Sequence, residues 1–126
     1  RFADQVTIRT MGEGFTWDTQ DRARDIAAAE RAWAVSKEMI EASRGDEPAY
    51  DLIVLDELNI ALRYHYSPLA EIVDFLTTEK PEMTHVVITG RNAKEELLAI
   101  ADLATEMTLL KHPFRDGVKA QIGVEF

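Results

Sequence analysis

The chain has 126 residues, 46% of them hydrophobic, which is ordinary single-domain size with apolar surface for one core. Its 14 basic and 23 acidic residues give a formal charge of -9, which repels phosphate backbones; no basic patch offsets it, so nucleic acid is not expected as a partner. The absence of cysteine removes disulfide and zinc-thiolate chemistry and fits a reducing cytoplasm, and no apolar run approaches the roughly 20 residues that span a bilayer, so no membrane partner is expected either.

In chain order, the first pattern is DQVTIRT, where Val6 and Ile8 alternate with polar residues and predict a short strand. It runs into GEGFTWDTQ, a glycine-hinged loop that places the aromatics Phe15 and Trp17 two positions apart, so that both can point the same way, toward the core or toward a ligand. From about residue 19 to 43 the period becomes helical, with Ile26, Ala29, Trp33 and Ile40 on one face, Asp18 or Thr19 as the cap and Arg44-Gly45 as the stop. On that apolar face Trp33 reads as a core residue.

DLIVLD at 51–56 is a continuous apolar run between charges and predicts a strand buried on both faces, as in a parallel sheet under helices. A helix follows with Ser67 as N-cap, Pro68 at its first position, and Leu69, Ile72, Val73 and Leu76 along one side. THVVIT at 84–89 repeats the buried-strand pattern and ends at Gly90. NAKE at 92–95 has capping-box spacing and opens a helix with Leu97, Ile100 and Ala101 inward. Residues 106–111 predict another strand, and beyond His112-Pro113 the alternation of Val118, Ala120, Ile122, Val124 and Phe126 predicts an edge strand. Strands alternating with helices over 1–126 give one α/β domain with a largely parallel sheet sandwiched by helices.

In such sheets ligands gather beyond the carboxyl ends of the strands. Three features fall there: the aromatic loop, Asp56-Glu57, and Thr89-Gly90-Arg91. LIVLDEL has the form of a Walker B strand, whose carboxylates meet a hard cation such as Mg2+; the same pattern also arises where charge simply ends a buried run. TGR offers a hydroxyl, a glycine open to close approach, and a guanidinium able to fork onto phosphate, or else an ordinary strand-to-helix turn. His65, His85 and His112 lack metal-ligand spacing, and neither GxSxG nor GxGxxG occurs.

Taken together, GFTWDTQ, LIVLDELN, HVVITGRN, ADLATEM and the ending KHPFRDGVKAQIGVEF resemble the ATP:corrinoid adenosyltransferases of the CobA type along essentially the whole chain. The resemblance implies a P-loop NTPase-like, RecA-like fold and transfer of the 5′-deoxyadenosyl group of ATP to Co(I) of a corrinoid, with triphosphate released, in adenosylcobalamin biosynthesis or salvage. It implies that Phe15 and Trp17 face the corrinoid and strip a lower axial ligand from Co(II), that Glu57 with Asp56 holds Mg2+, and that Arg91 contacts phosphate. A homodimer, and a reductase or flavodoxin-type electron donor, are implied in the same way.

The departure from the family is the Walker A segment: no GxxxxGK[ST] occurs in these residues. With Arg1 in place of a methionine, the expectation is a C-terminal portion of a longer enzyme, lacking the P-loop strand and helix and inactive alone. Two other readings compete. A phospho-acceptor receiver would use Asp56, Thr89 and Lys111, but Thr10-Met11-Gly12 stands where its acidic pair belongs. A non-catalytic corrinoid or nucleotide carrier would keep the aromatic loop without the chemistry.

Overall fold

The structure is a computed structural model and describes residues 5–11, 21–120 and 122. Helix α1 (Arg22–Glu41) begins where the Asp21 carboxylate accepts hydrogen bonds from the amides of Ala23 (3.1 Å) and Arg24 (3.2 Å), satisfying donors that a first turn leaves free. Asp21 is therefore the cap in place of Asp18 or Thr19, which lie outside the described residues. Trp33 and Ile40, two turns apart, are the buried residues of its inner face.

Strand β1 (Leu52–Leu55) and strand β2 (His85–Ile88) pair in parallel, Leu52 opposite His85 and Leu55 opposite Ile88. Backbone bonds continue past both ends, from the His85 amide to the Asp51 carbonyl (2.9 Å) and from the Thr89 amide to the Leu55 carbonyl (3.2 Å). A parallel pair needs a long crossover. Here it contains α2 (Leu58–Arg63) and α3 (Leu69–Thr78). Helix α4 (Glu95–Ile100) and a 3-10 turn (Pro113–Asp116) follow.

One face of the sheet is covered. Ile53 and Leu55 join Trp33, Ile40, Leu62, Ile72, Phe75 and Leu97 in the core, with Val86 and Ile88 packed against it. Trp33 meets Phe75 edge-on at 5.5 Å, the orientation that ring quadrupoles favour. Ile40, Leu62 and Ile72 are fully buried, each worth about 1.5–3 kcal/mol relative to an exposed side chain.

Several expectations are corrected. Leu52 (54% exposed) and Val54 (53%) face outward with Val87, because no described helix packs on that face; among the described residues β1 is buried on one side only and helices cover one face of the sheet. Val6 and Ile8 form no strand and are exposed: among the described residues no neighbouring strand supplies hydrogen bonds to this segment. The same holds for 106–111, where Met107 is 93% exposed, and for Val118 and Ile122; residues 121 and 123–126 lie outside the described part. The sheet of the described residues therefore has two strands.

The helix starts shift as well. Pro68 is itself the N-cap of α3, and Ser67 Oγ is buried without a hydrogen-bond partner. Asn92 adopts a left-handed φ of 58° and forms no capping box; α4 starts at Glu95, buries Leu97, and leaves Ile100 and Ala101 exposed where it ends. Helix α2 carries no local start signal in the sequence: the residue at its N-cap is Glu57, left-handed and without a side-chain capping bond.

Candidate functional site

With Ile53 and Leu55 buried, the residue that follows β1 is exposed, so that Asp56 emerges just past the carboxyl end of the strand. The chain then reverses sharply through Glu57, at φ 59° and ψ 20°, a conformation that side chains other than glycine and asparagine rarely adopt. The reversal leads directly into α2 and leaves both carboxylates exposed on one turn.

The turn is fastened to the end of β2 by one residue. Thr89 Oγ1 donates to Asp56 Oδ1 at 2.6 Å and accepts from the Glu57 amide at 2.9 Å. Its carbonyl accepts from the Asn59 amide at 3.3 Å, and its amide donates to the Leu55 carbonyl. Gly90 follows at φ +121°; a Cβ there would stand 2.9 Å from Asn59 Cβ and 3.0 Å from Glu57 Oε2, so only glycine allows the two loops to approach this closely. Asn59 is 4% exposed, and its Oδ1 has no hydrogen-bond partner.

Of the residues singled out by sequence, Asp56, Glu57, Thr89 and Gly90 converge on this rim. Arg91 is the next residue, exposed and without a charged or hydrogen-bonding partner among the described residues. Phe15 and Trp17 lie outside the described residues. Lys111 does not end a strand, as a receiver would require. Trp33 is in the core, where its Nε1 donates to Glu71 at 3.0 Å. Among the described residues no cluster of three or more His, Asp or Glu side chains could hold a metal, and no helix is long and apolar enough to cross a membrane.

Sequence reasoning missed Asn59. Its signal was a polar side chain at the second position of the otherwise apolar start of LNIALR. The ties made by Thr89 join residues more than thirty positions apart, and no local pattern marks them.

An apolar strand followed by an acidic pair at the carboxyl end of a parallel sheet makes this an α/β protein with two carboxylates on the rim where such sheets gather ligands. The family described as ATP:corrinoid adenosyltransferase BtuR/CobO/CobP matches residues 1–126, and the chain belongs to that family. It is 61% identical over 125 residues to a corrinoid adenosyltransferase from Sinorhizobium sp, covering 99% of this chain and 56% of that protein. It is 49% identical over 126 residues to one from Pseudomonas aeruginosa (100% and 59%), and 41% identical over 121 residues to one from Escherichia coli K12 (96% and 59%). The chain thus spans less than three-fifths of the length of these curated relatives.

Proposed function

We propose that this chain supplies the acidic and aromatic parts of a corrinoid adenosyltransferase site, transferring the 5′-deoxyadenosyl group of ATP to Co(I) of a corrinoid and releasing triphosphate. The observation that carries the reading is the Asp56-Glu57 turn, presented at the end of β1 and tied to the TGR turn, in a chain of this family. The donor set fits Mg2+: two exposed carboxylates on one turn are hard oxygen ligands, and a cation that keeps most of its waters needs only one or two of them. Glu57 and Asp56 would hold it, and when bound it neutralises charge on the departing triphosphate.

The chain's own residues position the reactants. Arg91, exposed beside Gly90, can place its guanidinium on phosphate oxygens. Phe15 and Trp17 face the corrinoid and exclude the lower axial ligand of Co(II). Loss of that donor lowers the cobalt orbital that must accept the electron, which brings reduction within reach of a reductase or flavodoxin-type donor. The resulting Co(I) attacks the ribose 5′ carbon: its electron pair forms the cobalt–carbon bond as the carbon–oxygen bond to triphosphate breaks. The phosphate cradle, a Walker A loop, is not among these 126 residues. We propose that the enzyme works as a homodimer, and we expect these 126 residues by themselves, without a Walker A loop, to bind ATP poorly and turn over negligibly.

The test is an adenosylation assay on the longest natural form of the chain with ATP, Mg2+ and corrinoid. Phe15→Ala and Trp17→Ala should weaken conversion from Co(II) far more than from chemically supplied Co(I). Equal losses in both assays would remove the role given to the aromatics. A corrinoid spectral shift with no cobalt–carbon bond under strong reductant would make the protein a carrier.

A further inference from the structure

We infer that Thr89 is a positioning residue for the acidic pair, setting the direction of the Asp56 carboxylate and the backbone of Glu57 so that the pair binds its cation pre-oriented. The inference rests on the reading above, that Asp56 and Glu57 hold the metal. A hydroxyl has one proton to donate, and Thr89 commits it to Asp56 Oδ1 while accepting from the Glu57 amide. One side chain just past β2 therefore contacts both members of a pair just past β1.

This bridge matters because little else holds the pair. Both carboxylates are exposed, no described ion pair engages either, and Glu57 occupies a left-handed conformation that its side chain disfavours. The Thr89 main chain reinforces the same tie on both sides, to Leu55 and to Asn59. Removing the hydroxyl leaves those backbone bonds and the strand pairing in place, and takes away only the orientation of the ligands. Partners of this kind behind a metal ligand typically account for about 10- to 100-fold in metal affinity.

The experiment compares wild type, Thr89→Val, Thr89→Ser, Asp56→Asn and the Asp56→Asn/Thr89→Val double variant in the longest natural form of the chain. Two quantities are read: the Mg2+ concentration giving half-maximal adenosylation from chemically reduced corrinoid, and Mn2+ binding by electron paramagnetic resonance with ATP present. Thr89→Val should raise both the half-activating concentration and the Mn2+ dissociation constant by about tenfold or more, leaving the rate at saturating Mg2+ within about threefold of wild type. Thr89→Ser should restore the wild-type values, and on the Asp56→Asn background valine should add little further loss. If valine is not tolerated, Thr89→Cys, with a weak donor of similar reach, provides the same comparison. An unchanged Mg2+ requirement and Mn2+ affinity in the valine variant, or a serine variant as impaired as valine, overturns the inference. Wild-type adenosylation indifferent to divalent cations would instead overturn the metal-holding role of the pair, and the inference with it.

Discussion

The two ends of the β1–β2 pair are built on opposite terms. At the amino end the connections named here are hydrogen bonds and one ion pair, made by Ser43, Arg44 and Lys80. Ser43 Oγ donates to the Met39 carbonyl (3.0 Å) and accepts from the Tyr50 amide (3.2 Å), Arg44 Nη2 reaches the Glu79 carbonyl (2.7 Å) and carboxylate (2.6 Å), and Lys80 Nζ donates to the carbonyls of Pro81 (2.9 Å) and Thr84 (3.0 Å). At the carboxyl end the backbone is left-handed at Glu57 and Asn92, Gly90 is pressed against Asn59, and a buried carboxamide oxygen has no partner. Strain and unmet polar groups persist only where the surroundings enforce them, and they gather at sites that bind or react. One end of the sheet holds the fold; the other is where we propose that ligands are held.

If that division is right, substitutions at the two ends should fail in different currencies. The largest effect is expected from Gly90→Ala, which puts a methyl group 2.9 Å from Asn59 Cβ at φ +121°. Backbone strain and overpacking together should cost about 2–4 kcal/mol in a denaturant titration, and adenosylation should fall beyond what the lost folded fraction explains. Activity that tracks the folded fraction alone would erase the distinction. Ser43→Ala, at the opposite end, should cost about 1–2 kcal/mol by leaving the buried junction with Tyr50 unpaired, with the rate per folded molecule unchanged.

The smallest effect concerns Glu71 on α3. Hydrogen bonds from Lys37 (2.6 Å) and Trp33 hold its carboxyl below the ordinary value of 4.5. A depressed folded-state value means that the ionised pair stabilises the protein above pH 4.5, and that this stabilisation disappears as the pH falls through the depressed value. Glu71→Gln should therefore lower stability slightly near neutrality and match wild type in acid, by less than about 1 kcal/mol because the carboxylate is half exposed and screened by solvent. Parallel melting curves against pH for the two proteins check this.

Much of the fold is legible residue by residue. The apolar runs at 52–55 and 85–88 are strands, and the spacing of Trp33 and Ile40, or of Ile72 with Leu69 and Leu76, marks the inner faces of α1 and α3. These are local patterns with periods set by backbone geometry. What escapes is pairing: Val6, Ile8 and 106–111 have strand-like composition, yet a strand exists only where a neighbour supplies hydrogen bonds, and none of the described residues does so there. At the site, the carboxylates are readable from LIVLDEL because charge ends the run. The Thr89 bridge and the crowding of Gly90 on Asn59 depend on a crossover of some thirty residues, which spacing cannot reveal.

The left-handed backbone at Glu57 has a consequence for anyone who tries to make this protein more heat-tolerant. Glycine is the standard remedy for a side chain forced into that conformation, and here the remedy would delete a carboxylate from the rim. Automated stabilisation that scores only conformational comfort would remove the carboxylate that we propose holds the cation, so Glu57 belongs among the residues held constant in any such redesign.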